Sequence, residues 1–382
     1  MRPVEAKDGR RLFSDVPPDV QGNWRWQLEN LIRTPGELGR FFDGPVQGMS
    51  SSGEGTDGLK MWVTPYYAGL IESGRPDDPI LRQILPHPEE KMSVPGGSPD
   101  PLCEKAHAPV PGVVHRYPDR VLLLVTGFCA TLCRFCMRKR AWSMELSEPK
   151  FDVDAALDYI RSREGIRDVI LSGGDPFFIP ISMLESLLTG LKRIPHVRII
   201  RIGTRAPVTL PMRIDRDLRS LLKRFKPLWL ITHFNHPREV TPEAREALDV
   251  LASSGAVINN QSVLLRGVND DPSILIDLSV RLLEAGVRPY YLHQVDPVEG
   301  VSHFRVPIRE GMDLIRTMAG KVSGLGIPRY VLDLPGGMGK VPLMPDFILE
   351  RTKKGLVFQA PLGGKVFIAD GEAPRSRQSR GL

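Results

Sequence analysis

Cysteine is scarce in this 382-residue chain, where only Cys103, Cys129, Cys133 and Cys136 are present. Four cysteines, three of them within eight residues, exclude a disulfide framework for a chain of this size and read instead as a ligand cluster. Long apolar runs are lacking too. No stretch reaches the roughly eighteen consecutive apolar residues of a membrane span, and Met1 to Ser14 is charged, without the apolar segment of a signal peptide. The expectation is a cytoplasmic protein with no membrane partner. Charge of one sign is also missing: Lys+Arg outnumber Asp+Glu by 51 to 45, and the excess is spread along the chain. It concentrates only in Arg375–Leu382, which reads as a disordered, solvated basic tail, so no nucleic-acid partner is implied. No internal repeat or heptad is visible.

What is present has the punctuation of an α/β protein. From Arg120 onward six short apolar runs alternate with amphipathic stretches: Val121–Thr126, Val169–Ser172, Val197–Gly203, Leu228–Thr232, Val257–Leu265 and Tyr290–Val295. Strands separated by helices argue a parallel sheet, and six such units predict a partial (β/α)6-type barrel. Helix signals are clearest where Thr241 can cap, Pro242 can open the first turn and Gly255 can stop the helix. Residues 1–114 read as a mostly helical extension, 115–345 as the barrel and 346–382 as a short C-terminal extension ending in the basic tail. Trp24, Trp26, Leu28, Leu31 and Ile32 form a mixed apolar face that reads as packing. Gly48–Gly58 and the proline-rich stretch around Pro95–Pro111 mark irregular chain.

In parallel barrels the chemistry gathers at the carboxyl ends of the strands, and the unusual residues here obey that rule. The cysteines follow the first run, Gly173-Gly174-Asp175-Pro176 the second, Thr204-Arg205 the third, His233 and Asn235 the fourth, and Asp296 the sixth. Cys129-x3-Cys133-x2-Cys136 can be weighed against two metals. Structural zinc wants four closed ligands, and Cys103 would have to supply the fourth from a distant, proline-flanked segment. A [4Fe–4S] cluster held by three thiolates leaves one iron open to a ligand that is not protein. Cys103 itself reads as a plain buried or loop cysteine. Pro335-Gly336-Gly337-Met338-Gly339-Lys340 lacks the spacing and following Ser/Thr of a nucleotide P-loop. Its lysine is either a simple turn residue or a Schiff-base former for a carbonyl cofactor, pyridoxal phosphate (PLP) being the common one.

The cysteine spacing, with Phe135 just before the last thiol and the loop directly after the first barrel strand, resembles the radical S-adenosylmethionine (SAM) superfamily. Together with Asn23-Trp24-Arg25-Trp26-Gln27, Met61–Tyr67, His115-Arg116-Tyr117-Pro118-Asp119-Arg120, Arg138-Lys139-Arg140, Asn260-Gln261-Ser262 and His303-Phe304-Arg305, it resembles the lysine 2,3-aminomutase family from about Asn23 to about Pro345. The resemblance implies an isomerase that uses a [4Fe–4S] cluster on Cys129, Cys133 and Cys136, with SAM on the open iron. Gly173, Gly174, Asp175, Phe135 and His233 would lie on the SAM side. Lys340 would hold PLP, with Arg116, Arg120 and Gln261 around it. Arg138 would bind the substrate carboxylate, and Asp296 and Asp333 the substrate's distal cation. Two carboxylates aimed at one pocket repel each other and invite a cation, which suits lysine or, alternatively, arginine; either aspartate alone can also be a loop cap. Glutamate is disfavoured, because the related glutamate enzymes carry non-acidic groups there, and a non-enzymatic metal-binding module is the remaining reading. An electron donor such as flavodoxin or ferredoxin is implied.

Two departures from the family pattern stand out. Zinc-containing members carry a cysteine after the segment matching Arg266–Asp270, with more near the C-terminus. Here Asp271 holds that position and no cysteine follows Cys136. The expectation is therefore a homo-oligomer without zinc between its subunits. Met338 also replaces a glycine in the lysine loop, and Pro297 follows Asp296.

Overall fold

In a computed structural model, residues 13, 15–42, 58–72, 74–92, 96–139 and 151–370 are described. Most of Met1–Ser14 and of Gly48–Gly58, together with Pro95, Arg140 and the tail Arg375–Leu382, lie outside them.

Nine strands form one sheet in chain order: β1 (Val113–Tyr117), β2 (Arg120–Leu124), β3 (Asp168–Ser172), β4 (Ile199–Gly203), β5 (Leu228–Thr232), β6 (Ala256–Leu264), β7 (Arg288–Gln294), β8 (Arg329–Leu334) and β9 (Gly339–Pro342). Strands β2 to β8 run parallel, and β1 and β9 add antiparallel edges. The partial parallel barrel expected from the six apolar runs is what the chain forms, and all six runs are strands. A seventh parallel strand, β8, carries Asp333. Its Arg-Tyr-Val-Leu-Asp-Leu sequence is too short and too mixed to announce itself by period.

Among the described residues, one helix of nine or more residues lies in each parallel crossover from β2 to β7: α1 (Val153–Arg161), α2 (Ile181–Lys192), α3 (Arg216–Arg224), α4 (Pro242–Ser253) and α5 (Pro272–Glu284), and α6 (Ile308–Met318) precedes β8. Their starts follow capping chemistry: Asp152, Asp215, Thr241 and Asp271 each accept a backbone N–H of the first turn. Asp271, where zinc-containing members carry cysteine, is thus the cap of α5. Gly255, at φ +85°, stops α4. Inward leucines at helical spacing, such as Leu218, Leu221 and Leu222 on α3, share one hydrophobic core with buried strand positions such as Val169 and Leu171.

The described residues of the N-terminal segment include short helical turns such as Trp24–Glu29 and Pro35–Phe41. Ile32, Leu38, Val63 and Tyr67 share one hydrophobic core with Val121 and Leu123 of β2. Trp24 donates from Nε1 to Asp215 at 3.1 Å and Trp26 packs on Phe13, so the aromatic face is packing. Residues Ile348–Thr352, Gly355–Gln359 and Lys365–Ala369 form a separate three-stranded antiparallel sheet. No helix among the described residues is long and apolar enough to cross a membrane.

Candidate active site

The cysteine loop leaves the end of β2 and is pinned by the N-terminal segment. Trp62 donates from its indole to the carbonyl of Cys129 at 2.8 Å, the amide of Leu132 donates to Trp62, and the amide of Arg134 donates to Gln83. Arg134 itself is buried, reaching Glu90 with both Nε and Nη2, while Lys139 donates to Glu90 at 2.6 Å and to the carbonyl of Gly300 at 2.8 Å. Two cations on one buried carboxylate hold both flanks of Phe135-Cys136. Phe135 is itself buried among Leu265, Val295 and Phe304 from the loops after β6 and β7.

The three loop cysteines are free thiols. Burial raises the pKa of Cys129, and it pushes that of Cys136 up to about 11, which favours the protonated form until a metal replaces the proton. Cys133 differs by receiving Nη1 of Arg205 at 2.7 Å. Among the described residues no three His, Cys, Asp or Glu side chains are arranged to hold one metal ion. A [4Fe–4S] cube, whose irons occupy separate corners, does not need thiolates converging on one point.

The glycine turn after β3 lies directly against this loop. A Cβ on Gly173 would stand 2.3 Å from the carbonyl oxygen of Thr126, and one on Gly174 2.1 Å from that of Phe128. The amide of Gly174 donates to Thr126 at 2.5 Å and that of Asp175 to Phe128 at 2.8 Å. These glycines are demanded by the approach of two loops, whatever ligand they also meet. The carboxylate of Asp175, expected near SAM, is engaged within the protein: it accepts from Thr204 Oγ1 and from the amides of Phe177 and Arg205. It joins the β3 loop to the β4 loop. His233 packs against Phe135 and bonds Asn235 at 3.1 Å, and burial lowers its pKa well below the usual imidazole value.

Around Lys340 the groups are brought together by β7, β8 and β9. The register places Lys340 opposite Asp333, its Nζ donates to Asp333 Oδ2, and it lies 3.2 Å from His293 Nδ1 and over the ring of Tyr291. Asp296, just past β7, has a buried Oδ1 with no hydrogen-bond partner. The two aspartates diverge in acidity. Burial, and then the charge of Asp333, push Asp296 up to about 7 against the opposing pull of Lys340 and Arg138. At Asp333 the burial effect is outweighed by the hydrogen bond with His293 and the charge of Lys340, which hold it at about 2.

Arg116 on β1 adjoins the lysine loop: a Cβ on Gly337 would lie 3.3 Å from its Nε. Its Nε and Nη2 are buried without a hydrogen-bond partner. Gln261 lies on β6, paired in register with Tyr291. Arg120 begins β2, bonded to Asp119 at 3.0 Å with its guanidinium 3.7 Å above the ring of Tyr117. Arg138 is clamped by Glu104, which accepts from Nη2 at 2.7 Å and from Nε at 3.1 Å. Cys103 sits at φ +51° one residue before that glutamate. Glu104, Glu239, Gln83 and His293 were not singled out from sequence. Only Glu239 carries a local signal, the capping-box spacing His236-x-x-Glu239.

A parallel barrel with three free thiols in the loop after its first parallel strand defines the radical SAM class, and residues 123–276 match the Radical SAM superfamily model. Such proteins use SAM and an iron–sulfur cluster. Residues 315–364 match the Lysine-2,3-aminomutase model. The chain is 44% identical over 363 residues to a "Putative L-lysine 2,3-aminomutase" of Aquifex aeolicus, covering 93% of this chain and 96% of that one. It is 42% identical to the "L-lysine 2,3-aminomutase" of Clostridium subterminale, with 91% and 84% covered, and 36% identical to a "Glutamate 2,3-aminomutase" of Clostridioides difficile, with 88% and 82% covered. The chain belongs to the lysine 2,3-aminomutase family of radical SAM enzymes.

Proposed function

We propose that this enzyme is an isomerase that moves the α-amino group of L-lysine to carbon 3, giving β-lysine. The observation that carries the reading is that Asp296 feels the charges of both Asp333 and Lys340, while Asp333 is paired with Lys340. Two carboxylates with opposed acidity, one already satisfied by an ammonium and one with a buried oxygen left open, suit a substrate whose side chain ends in a cation. The 36% identical glutamate enzyme shares the chemistry, but a γ-carboxylate entering this pocket would meet two acids.

The residues fit the groups the family implies. Cys129, Cys133 and Cys136 would hold the cluster, and Gly173, Gly174, Phe135 and His233 would lie on the SAM side. Lys340 would bind PLP, and the open Nε and Nη2 of Arg116 are donors suited to its phosphate, with Arg120 and Gln261 as further candidates around it. When bound, the cluster and SAM would supply a 5′-deoxyadenosyl radical, and PLP would supply a carbonyl carbon whose double bond to the substrate's amino nitrogen lets that nitrogen shift between carbons.

The protein's own task is positioning. Arg138, its fork oriented by Glu104, would take the α-carboxylate, while Asp296 and Asp333 take the distal ammonium, so the substrate is stretched between two fixed ends. The N-terminal segment, through Trp62, Gln83 and Glu90, pins the cysteine loop in place. A low-potential donor such as flavodoxin or ferredoxin, a cytoplasmic setting and a homo-oligomer without intersubunit zinc complete the proposal.

The test is anaerobic reconstitution with iron, sulfide and PLP, addition of SAM and dithionite, and NMR of 13C-labelled lysine and arginine in separate tubes. Conversion of lysine to β-lysine supports the reading. Preference for arginine changes the substrate, and turnover of neither sinks the inference from Asp296 and Asp333.

A further inference from the structure

Arg205 is a large cation fixed at the cluster loop with no task in the reaction as described. Its side chain is 9% exposed, and all three guanidinium nitrogens are committed. Nε donates to the carbonyl of His233 at 3.2 Å and Nη1 to Cys133 Sγ at 2.7 Å. Nη2 reaches Gln83 Oε1 at 2.7 Å, Glu239 Oε1 at 2.8 Å and the hydroxyl of Tyr67 at 3.1 Å. The backbone is held too, since the amide of Arg205 donates to Asp175 at 2.7 Å. Phe135 and Tyr67 lie against the guanidinium, 5.3 and 5.4 Å from their ring centroids. The cation cannot swing off the sulfur without disturbing its four other acceptors.

Glu239 is fully buried, and its second oxygen accepts the amides of Asn235 and His236. The arrangement is therefore a graded one: a thiolate ligand, a guanidinium on that thiolate, and a carboxylate behind the guanidinium.

We propose that Arg205 is a positioning residue that raises the reduction potential of the cluster bound through Cys133, and that Glu239 limits the size of that effect. The inference rests on the three cysteines being the cluster ligands. Reduction brings one electron from a low-potential donor into the cluster and adds one negative charge, while Arg205 exchanges neither electron nor proton. A cation hydrogen-bonded to a ligating sulfur in a water-poor site stabilises the reduced state more than the oxidised one. A buried carboxylate behind it cancels part of that field. The device makes a difficult electron transfer easier without opening the cluster to solvent.

The experiment is an EPR-monitored potentiometric titration, with dithionite, of the reconstituted wild type, Arg205→Gln, Arg205→Lys and Glu239→Gln, with iron per chain measured on each sample. Arg205→Gln should lower the reduced-to-oxidised ratio at a fixed poise by about tenfold, which is 59 mV for a one-electron couple. Arg205→Lys should shift it in the same direction by less, and Glu239→Gln should shift it the opposite way. An unchanged potential in Arg205→Gln at full iron content overturns the proposal. If that variant does not load iron, Glu239→Gln decides, and no shift or a shift to lower potential overturns it. Wild-type protein that binds no cluster would sink the ligand assignment and this inference together, whereas a cluster indifferent to both residues sinks only this inference.

Discussion

At the cysteine loop every basic side chain described ends on an acid or a thiol: Arg134 and Lys139 on Glu90, Arg138 on Glu104, Arg205 on Glu239 and Cys133. Around Lys340, a short way off in the same barrel, buried atoms of Arg116, Asp296 and His293 have no hydrogen-bond partner. An unsatisfied buried polar group costs about 1–3 kcal/mol, so a chain keeps several in one place only when something else completes them. Thr131 Oγ1 in the loop also lacks a partner, so the difference is one of charge: the loop's cations are paired within the protein, whereas around Lys340 a guanidinium and a carboxylate oxygen are left open.

The sharpest way to break the comparison is to remove each half separately. Cys136→Ala should lose the cluster, measured as iron per chain, yet still develop the visible absorption of bound PLP. Lys340→Ala should do the reverse, and each should lower turnover at least about a thousandfold. Loss of both cofactors from either variant would show the two halves to be one cooperative unit.

A smaller effect should appear in the stability of the cofactor-free protein, with opposite signs at the two aspartates. The folded pKa of Asp296 lies above its unfolded value, so stability is full below about pH 4 and falls as pH rises through 7. Asp296→Asn should therefore stabilise the protein at pH 8 by up to roughly 4 kcal/mol while weakening lysine binding. The folded pKa of Asp333 lies below its unfolded value, so its contribution is present above about pH 4 and is lost as pH falls toward 2. Asp333→Asn should destabilise by roughly 2 kcal/mol near neutrality, where it strands Lys340. Urea unfolding from pH 2 to pH 8 checks both signs.

On the scaffold side, Glu104→Gln should loosen the fork of Arg138 and raise the KM for lysine by about tenfold with little change in kcat. The smallest effect is expected from Trp62→Phe, which removes one hydrogen bond to Cys129: about 1 kcal/mol in stability and unchanged iron content.

The parallel barrel was legible because each strand is a compact apolar run between capped helices, a pattern that local residues create. The β8 strand escaped because its six residues mix Arg, Tyr and Asp with aliphatics, and only its pairing with β7 and β9 makes it a strand. At the site, the cysteine spacing pointed to a cluster, whereas loop composition left Lys340 open between a turn lysine and a Schiff-base former, and only the family resemblance assigned it a role. Glu104, Gln83 and Glu239 were not, since their partners lie 34, 122 and 34 positions away. Gly173 and Gly174 were noticed for a different reason from the one the fold shows first, the contact with Thr126 and Phe128.

Sequence by itself determined the chemistry that this chain can carry: three thiols at cluster spacing, a lysine in a glycine loop, acids at strand ends and the helices and strands that place them. Only the tertiary structure decided which charges are neutralised and which are left waiting, because burial and charge pairing depend on residues distant in the chain. That is why Asp296 and Asp333, alike as residues, differ by several pKa units in one pocket.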